Sequence, residues 1–259
     1  MNKEVNSQMP DKKTNEHLTD FGYQTIPEEE KESHVKEVFD EVAPKYDIMN
    51  DVLSFGMHRL WKKYTVDKAA VKPGMNVLDI AGGTGDLSIA MADKIGDGKL
   101  WLTDINLSML RIGKKRMKQH HFDAFYTTCD AEALPFPDDY FDVITVAFGL
   151  RNMTHKDKAL KEMLRVCKPG GKVMVLEFSK PEKWLAPFYD FYSFKLMPWI
   201  AAKITGKAEN YRYLVESIRM HPDQLTLATI MQNVGMKNVS WTNLTFGITA
   251  LHIGYKEKS

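Results

Sequence analysis

Residues 77–86 read VLDIAGGTGD, an apolar run that passes directly into a glycine-rich turn. The apolar run predicts a buried strand, and the pattern that begins at Asp86 predicts a helix. Three glycines, Gly82, Gly83 and Gly85, let the backbone turn tightly and let a ligand approach without meeting a Cβ atom. A strand, a glycine-rich turn and a helix in this order are typical of the ligand-binding edge of a doubly wound sheet.

Strand and helix patterns alternate along the chain around this turn. Strands are predicted at Asn76–Ile80, Leu100–Thr103, Ala124–Thr128, Phe141–Phe148 and Lys172–Phe178, and again at Asn238–Thr242 and Ile248–Tyr255. Helices are predicted at Asp86–Ala92, Ser108–Gln119, Lys156–Cys167 and His221–Val234. The alternation predicts an α/β fold with a parallel sheet and right-handed crossovers.

The segment before the glycine-rich turn has a helical pattern. Apolar residues recur at helical spacing within Glu28–Ala43, and a second helix is predicted at His58–Asp67. We expect these helices to cover an active site. Residues 1–22 are polar and lack an apolar period, so we expect a disordered tail there and a single domain at residues 23–259.

Composition narrows the class of protein. The chain has 259 residues, 44% hydrophobic and 27% charged, which suits one elaborated globular domain. Lys and Arg total 35 against 34 for Asp and Glu, and this balance argues against nucleic acid as the partner. No apolar run reaches the roughly 18 residues of a membrane span and no signal peptide is recognisable, so we expect a cytoplasmic protein. Cys129 and Cys167 lie in different predicted elements, and we expect reduced thiols.

Asp104 supplies the second part of the predicted site. It follows the strand after the glycine-rich turn, where a carboxylate can accept hydrogen bonds from both ribose hydroxyls of an adenosine. The dinucleotide pattern G-x-G-x-x-G fits poorly, because Ser88 occupies the third glycine position and Asp86 would meet the pyrophosphate. S-adenosylmethionine has no phosphate and carries an ammonium and a sulfonium. Acidic groups at Asp79 and Asp86 therefore favour it as the cofactor, through direct contacts or through water.

The loop after the predicted strand Ala124–Thr128 adds two candidate contacts to the adenine base. Asp130 is placed to bond the adenine amino group, and Ala131 is placed to pack on the ring. Cys129 lies beside them but has no histidine nearby in sequence to activate it, so a packed thiol is expected there rather than a nucleophile.

Together these features resemble the class I S-adenosylmethionine-dependent methyltransferases. The resemblance lies in Leu78–Asp86, Asp104, Asp130-Ala131 and Lys168–Gly171. Longer segments are similar to the ubiquinone/menaquinone biosynthesis C-methyltransferase family, and the similarity covers about residues 20–256. They are Tyr46–Asp51 with Ser54, His58–Trp61, Phe148–Asn152, Glu177–Pro181, Tyr211–Leu214 and Arg219–Gln224.

The resemblance implies a fold, a reaction and a set of cofactor contacts. The fold is a doubly wound, mostly parallel seven-stranded Rossmann-like sheet with an N-terminal helical cover and a C-terminal antiparallel strand pair. The reaction is C-methylation of demethylmenaquinol, of 2-methoxy-6-polyprenyl-1,4-benzoquinol, or of both. The implied contacts to S-adenosylmethionine, with the turn glycines included, are Gly83, Thr84, Gly85, Asp104, Asp130 and Ala131.

The chain departs from the family pattern at two positions. Cys167 stands where the family usually has an aliphatic residue, and we expect little effect on packing. In the family that the chain resembles, close relatives share a serine at the position of Ala147. A side-chain hydroxyl contact to the cofactor is therefore lost there, and only the backbone can replace it.

Methyl transfer from a sulfonium is an in-line displacement, so the protein must mainly align the acceptor carbon and exclude water. It requires no metal, and the eight histidines form no metal-binding motif. We expect Arg151, after the strand Phe141–Phe148, to stabilise the phenolate of the quinol. A structural ion pair is the alternative role for Arg151. Asn152 is expected to position a ring oxygen or methoxy group, and Tyr46 to orient the ring or face the sulfonium.

A polyprenyl tail calls for an apolar tunnel or a docking surface. The aromatic-rich segment Leu185–Thr205 is the candidate, either as helices packed on the sheet or as a lid that touches a bilayer. The expected partners are thus a polyprenyl quinol and, through peripheral contact, a membrane. A quinone-biosynthesis complex and a homodimer remain open. Two other functions also remain open: an NAD(P)-linked oxidoreductase, and a non-catalytic cofactor-binding scaffold of a quinone-synthesis complex.

Overall fold

The computed structural model describes residues 17–43, 50–51, 54–196 and 209–258. The strands in these ranges are β1 Leu18–Phe21, β2 Gln24–Pro27, β3 Asn76–Ile80, β4 Lys99–Asp104, β5 Phe125–Thr128, β6 Phe141–Ala147, β7 Cys167–Phe178, β8 Lys237–Leu244 and β9 Thr249–Tyr255. The helices are α1 Glu28–Val42, α2 Met57–Ala69, α3 Asp86–Ile95, α4 Leu107–Gln119, α5 Lys156–Val166, α6 Ala186–Phe191, α7 Glu209–Met220 and α8 Gln224–Asn233. A 3-10 turn at Leu150–Asn152 follows β6, and a π-helical turn at Tyr192–Leu196 follows α6.

Seven strands form one sheet in the order β5-β4-β3-β6-β7-β9-β8. Neighbours from β5 to β7 run parallel, whereas β9 runs antiparallel to both β7 and β8. The predicted α/β sheet and its C-terminal antiparallel pair are confirmed. The chain leaves β3 toward β4 on one side and returns to β6 on the other, so a crevice opens at the carboxyl ends of β3 and β6.

Both faces of the sheet are covered by helices. Consecutive residues of β3, Val77 and Leu78, are both fully buried, as expected for a parallel strand between two helical layers. Leu78 belongs to a cluster that includes Leu160 of α5, and Val77 belongs to one on the opposite face that includes Met91 of α3. The apolar run before the glycine-rich turn is therefore the centre of the core.

An N-terminal hairpin of β1 and β2 precedes the cover helix α1, with Leu18 paired to Pro27. Phe21 stacks on Tyr213 of α7 with ring centroids 4.2 Å apart. The tail predicted at residues 1–22 overlaps β1, and the overlap has a physical cause: Phe21 finds its partner about 190 residues away, which no local pattern reveals. Residues 1–16 lie outside the described residues.

Some boundaries also differ from the predicted ones. The helix predicted at His221–Val234 starts later, at Gln224, because the Asp223 side chain caps it by accepting a hydrogen bond from the Thr226 amide at 2.8 Å. The predicted segment Leu185–Thr205 is helical as far as Leu196, and its remainder lies outside the described residues. No helix in the described ranges combines the length and apolar character needed to cross a bilayer.

Candidate active site

A cavity of about 390 Å³ lies at the carboxyl ends of the central strands. The strand ends and the loops after them form its floor, and α1 forms one wall. The predicted residues that line it are Gly83, Asp104, Asp130, Ala131 and Asn152. The topology thus brings together four loops that are separated by more than twenty residues along the chain.

The glycine-rich turn is held in a conformation that needs glycine. Gly83 and Gly85 have φ angles of 55° and 81°, in the left-handed region. The turn also packs closely on α4, since a Cβ atom placed on Gly113 would lie 2.6 Å from the Gly83 carbonyl oxygen. A larger residue at position 113 would therefore force α4 or the turn to shift.

Asp104 ends β4 at the cavity floor, as predicted. One carboxylate oxygen accepts a hydrogen bond from the Gly83 amide at 2.9 Å, and the other accepts one from the Asn106 amide at 2.8 Å. The residue is only 9% exposed, and this burial raises its pKa to about 6, against the two amide hydrogen bonds. Each oxygen keeps a second lone pair, so the carboxylate can still accept hydrogen bonds from a vicinal diol.

The loop after β5 lines the cavity beside Asp104. Asp130 accepts a hydrogen bond from the Glu132 amide at 2.9 Å, which fixes its carboxylate, and Ala131 is buried next to it. Burial raises the pKa of the Cys129 thiol to about 11. A thiol with that pKa is protonated at neutral pH, in agreement with the expectation that Cys129 is packed and is not a nucleophile.

Thr84, Asp79 and Asp86 line a smaller crevice beside the turn. Asp79 is buried between two hydroxyl donors, Ser88 at 2.7 Å and Thr145 at 2.9 Å, and burial raises its pKa to about 6. Ser88 stands at the position of the third glycine of a dinucleotide motif, and its hydroxyl donates to a buried carboxylate of the sheet.

Asp86 forms ion pairs with Lys62 at 2.6 Å and Arg116 at 2.7 Å. Burial opposes ionisation, but the two cations outweigh it and lower the pKa of Asp86 to about 2. Arg116 also donates to the Thr84 carbonyl at 2.9 Å, so it ties α4 to the turn. The charge of Asp86 is therefore compensated within the protein.

The helix α1 adds carboxylates that sequence reasoning did not assign to the site. The described residues that line the cavity include six carboxylates, two lysines and one histidine. The acids are Glu28, Glu29, Glu32, Asp104, Asp130 and Glu132, and the bases are Lys36, Lys158 and His155. In the sequence alone, the glutamates at the start of α1 look like the acidic first turn of an ordinary helix. The cavity has an acidic wall that suits a cationic ligand.

Contacts at both ends hold α1 over the cavity. Asn106 donates to the Lys36 carbonyl at 3.2 Å and to the Asp40 carboxylate at 3.0 Å, and Glu28 lies 3.4 Å from His155. These contacts connect the cover to the loop after β4 and to the start of α5. The predicted N-terminal helical cover is therefore a wall of the site.

The three predicted acceptor-side residues have different positions. Asn152 lines the cavity, and its Oδ1 accepts a hydrogen bond from the Tyr213 hydroxyl at 3.0 Å. Arg151 is buried in an ion pair with Glu177 at 2.9 Å and is not among the described residues that line the cavity. Tyr46 lies outside the described residues.

A second, apolar pocket of about 280 Å³ lies next to the cavity. Its lining comes from α2, the end of β7, α6 and α7, and includes Met57, Trp61, Phe178, Leu185, Tyr189 and Leu214. The first part of the aromatic-rich segment thus contributes an apolar wall, as its composition predicts.

Ala147 lines the first cavity, and it stands at the position where the family resemblance implies a serine in close relatives.

Comparisons with known proteins agree with this geometry. The model of the ubiE/COQ5 methyltransferase family matches residues 27–256. A relative from Cupriavidus metallidurans, called ubiquinone/menaquinone biosynthesis C-methyltransferase UbiE, is 59% identical over 92% of this chain and 98% of its own length. A relative of the same name from Ralstonia nicotianae is 60% identical over 91% of this chain and 98% of its own length.

Solved structures share the fold at low sequence identity. A S-adenosylmethionine-dependent methyltransferase from Thermotoga maritima is 19% identical, with a TM-score of 0.60 over 85% of this chain and 99% of that one. One from Aquifex aeolicus is 18% identical, with a TM-score of 0.55 over 75% of this chain and 88% of that one. The class I methyltransferase fold is thereby confirmed. With the family model matching nearly all of the described domain, this chain belongs to the ubiE/COQ5 methyltransferase family.

Proposed function

We propose that this methyltransferase moves a methyl group from S-adenosylmethionine to a ring carbon of a polyprenylated quinol. The acceptor is demethylmenaquinol, 2-methoxy-6-polyprenyl-1,4-benzoquinol, or both. The observation that carries the proposal is the meeting of Asp104, Asp130 and the glycine-rich turn in one carboxylate-lined cavity. The names of relatives at 59% and 60% identity support the acceptor class.

The cavity fits this cofactor better than a dinucleotide. Its excess of carboxylates favours a ligand with an ammonium and a sulfonium and disfavours a pyrophosphate. Asp104 would hold the ribose hydroxyls, Asp130 and Ala131 the adenine, and Gly83 with Thr84 the methionine part. When bound, S-adenosylmethionine supplies an electrophilic methyl group. The oxidoreductase alternative is disfavoured because Ser88 occupies the third glycine position of the dinucleotide motif and its hydroxyl donates to the buried Asp79 carboxylate.

On the acceptor side, Asn152 is the described residue best placed to orient the quinol. Because its Oδ1 already accepts from Tyr213, the amide nitrogen is the arm that can donate to a ring oxygen or methoxy group. Direct stabilisation of the phenolate by Arg151 would require its guanidinium to leave Glu177. Its contacts favour a positioning role, and the proposed role of Tyr46 rests on the sequence resemblance alone.

We also propose that the apolar pocket receives part of the isoprenoid tail and that the surface beside it contacts a membrane. Trp184, Phe188 and Phe191 are each more than half exposed on or near α6. Exposed aromatic side chains next to an apolar pocket are favourable at a bilayer interface.

A flotation gradient with liposomes tests the membrane contact. The wild type should rise with the vesicles, and a Trp184→Ser/Phe188→Ser/Phe191→Ser variant should stay behind. A Phe125→Ser/Leu225→Ser variant, altered at two other exposed apolar residues, should float like the wild type. Equal flotation of all three proteins would remove the membrane proposal and leave the methyltransferase proposal intact.

Labelled methyl transfer tests the main proposal. Purified protein is given methyl-labelled S-adenosylmethionine and reduced short-chain analogues of both quinols, and mass spectrometry locates the new group. We expect the label on a ring carbon of at least one acceptor, and roughly 10- to 100-fold slower labelling with Asp104→Ala at limiting cofactor. Cofactor binding without transfer to either quinol would support the scaffold alternative instead.

A further inference from the structure

A small crevice continues the cofactor cavity along the glycine-rich turn. Its volume is about 30 Å³, which is room for a group of a few atoms. Four residues line both the crevice and the cavity, so the two spaces are joined; they are Ala81, Gly83, Ala147 and Phe148. The proposed position of the methionine part of the cofactor, against Gly83 and Thr84, places the end of that part at this crevice.

The helix α2 brings a lysine to the crevice. Among the described residues that line it, Lys62 is the one base. The Lys62 Nζ atom lies 2.6 Å from a carboxylate oxygen of Asp86, the first residue of α3. The Lys62 side chain is only 14% exposed, so this ion pair holds its ammonium beside the turn and largely out of bulk water. The helical cover thus delivers a fixed positive charge to the crevice.

The ion pairs of Asp86 leave one positive charge in excess. Asp86 pairs with Lys62 and also, at 2.7 Å, with Arg116, so one carboxylate faces two cations. An ammonium has three N–H donors, and Asp86 accepts a hydrogen bond from one of them, so Lys62 can bind a second carboxylate at the same time. In the larger cavity, by contrast, the carboxylates outnumber the bases. A negatively charged group of the ligand is therefore favoured at the crevice and disfavoured in the cavity.

An acid lines the same crevice. Asp79 accepts hydrogen bonds from the Ser88 hydroxyl at 2.7 Å and from the Thr145 hydroxyl at 2.9 Å. Burial raises the pKa of Asp79 to about 6, and the nearby charge of Lys62 works against that rise. An amino-acid end carries an ammonium and a carboxylate on one carbon atom. A wall with one acid and one base is complementary to both groups.

We infer that Lys62 binds the carboxylate of the methionine part of S-adenosylmethionine. The inference rests on the proposed function, and it adds a cofactor-binding residue from the helical cover to the turn and to Asp104. It predicts that affinity depends on Lys62 only for ligands that carry this carboxylate. A lysine that merely supports the fold would affect all cofactor analogues alike.

The test compares two ligands that differ in the carboxylate alone. S-adenosylmethionine and decarboxylated S-adenosylmethionine are titrated by calorimetry into the wild type, Lys62→Met and Lys63→Met. Methionine removes the charge of the lysine and keeps most of the length of the side chain. Lys63 provides the matched control, because it is the next residue of α2 and its side chain is 74% exposed and pairs with Asp67.

The effect of Lys62→Met should be confined to the ligand with the carboxylate. Its affinity for S-adenosylmethionine should fall roughly 10- to 100-fold, as expected for a lost hydrogen bond between charged groups. Its affinity for the decarboxylated ligand should not fall. Lys63→Met should bind both ligands like the wild type.

A second background separates a direct contact from charge compensation. Lys62→Met leaves Asp86 with one cation fewer, and the less balanced charge would repel the ligand carboxylate without any contact to Lys62. The substitution is therefore repeated in an Asp86→Asn background, which removes this charge and keeps an oxygen that can accept from Lys62. In that background, Lys62→Met should again weaken S-adenosylmethionine binding selectively.

Three results would overturn the inference. The first is an equal loss for both ligands in Lys62→Met, which would show a structural role. The second is a loss that disappears in the Asp86→Asn background, which would show that Lys62 only neutralises Asp86. The third is unchanged binding of both ligands by Lys62→Met. If the wild type binds neither ligand, the proposed function itself fails; if it binds S-adenosylmethionine and any of these three results is obtained, only this inference fails.

Discussion

The Asp104 carboxylate accepts a hydrogen bond from the Gly83 amide at 2.9 Å, so the acid at the end of β4 and the turn after β3 form one unit. Asp104 ends β4 and Gly83 lies in the turn after β3, and because these strands are parallel neighbours both residues lie at the same edge of the sheet. A ligand that bonds the carboxylate is thereby held next to the turn backbone. The geometry of the cofactor cavity depends on this contact.

Removal of the Asp104 carboxylate should weaken cofactor binding. We expect Asp104→Ala to raise the dissociation constant of S-adenosylmethionine roughly 10- to 100-fold, from a loss of about 1.5–3 kcal/mol for a charged hydrogen-bonding group. Calorimetric titration measures it, and Asp93→Asn, an exposed acid on α3, serves as the control. Unchanged affinity in Asp104→Ala would refute the ribose assignment.

Cofactor affinity should fall as the pH drops below about 6. Burial raises the pKa of Asp104 to about 6 in the unliganded protein, and the ionised form is the one that binds a cationic ligand. Binding therefore lowers this pKa, so affinity is complete above it and is lost progressively below it. Asp104→Asn should bind weakly with a flat profile between pH 5 and 7. A wild-type slope retained in Asp104→Asn would assign the titration to Asp79, whose pKa is also raised to about 6.

Gly113→Ala should weaken cofactor binding, although alanine favours helices. In an open helix the change would stabilise by about 1 kcal/mol. Here the new Cβ would lie 2.6 Å from the Gly83 carbonyl oxygen and 2.8 Å from Leu102, so α4 or the turn must shift. We expect a lower melting temperature and weaker binding by calorimetry. Higher stability with unchanged binding would show that the turn accommodates the methyl group.

Breaking the Arg151–Glu177 pair should lower the free energy of unfolding. Arg151→Met leaves the Glu177 carboxylate buried and uncompensated, and such losses are about 3–5 kcal/mol in the free energy of unfolding. The double variant Arg151→Met/Glu177→Leu should lose less than the two single variants together, because it leaves no unpaired charge. Urea unfolding measures each, with Lys63→Met, from an exposed pair on α2, as the unaffected control. Additive losses would mean that the pair is not coupled.

Local pattern predicted the elements that form the sheet. Asn76–Ile80 was predicted with its observed bounds, because a mostly apolar run next to three glycines is a strong strand signal. The parallel pairing from β5 to β7 followed from the βα alternation. The hairpin at Leu18–Phe21 was missed, since it is held by the stacking of Phe21 on Tyr213, a contact between distant parts of the chain.

Four of the six predicted cofactor residues line one cavity because they follow strands whose carboxyl ends meet, whereas Thr84 lines the smaller crevice beside the turn. Sequence spacing carries that information, so the shared location of Gly83, Asp104 and Asp130 could be predicted. The partner of Arg151 could not, because Glu177 ends another strand and nothing in its neighbourhood marks a pairing. The acidic wall from α1 was missed for a similar reason: a helix that packs over a cavity looks like any amphipathic helix.

The hairpin before α1 connects the helix that walls the cofactor cavity with the residues proposed for the acceptor side of the site. α1 is continuous with β2, and Phe21 of the same hairpin stacks on Tyr213, whose hydroxyl holds Asn152 on the acceptor side. The helix that walls the cofactor cavity and the side chain proposed to orient the acceptor therefore belong to one chain of contacts.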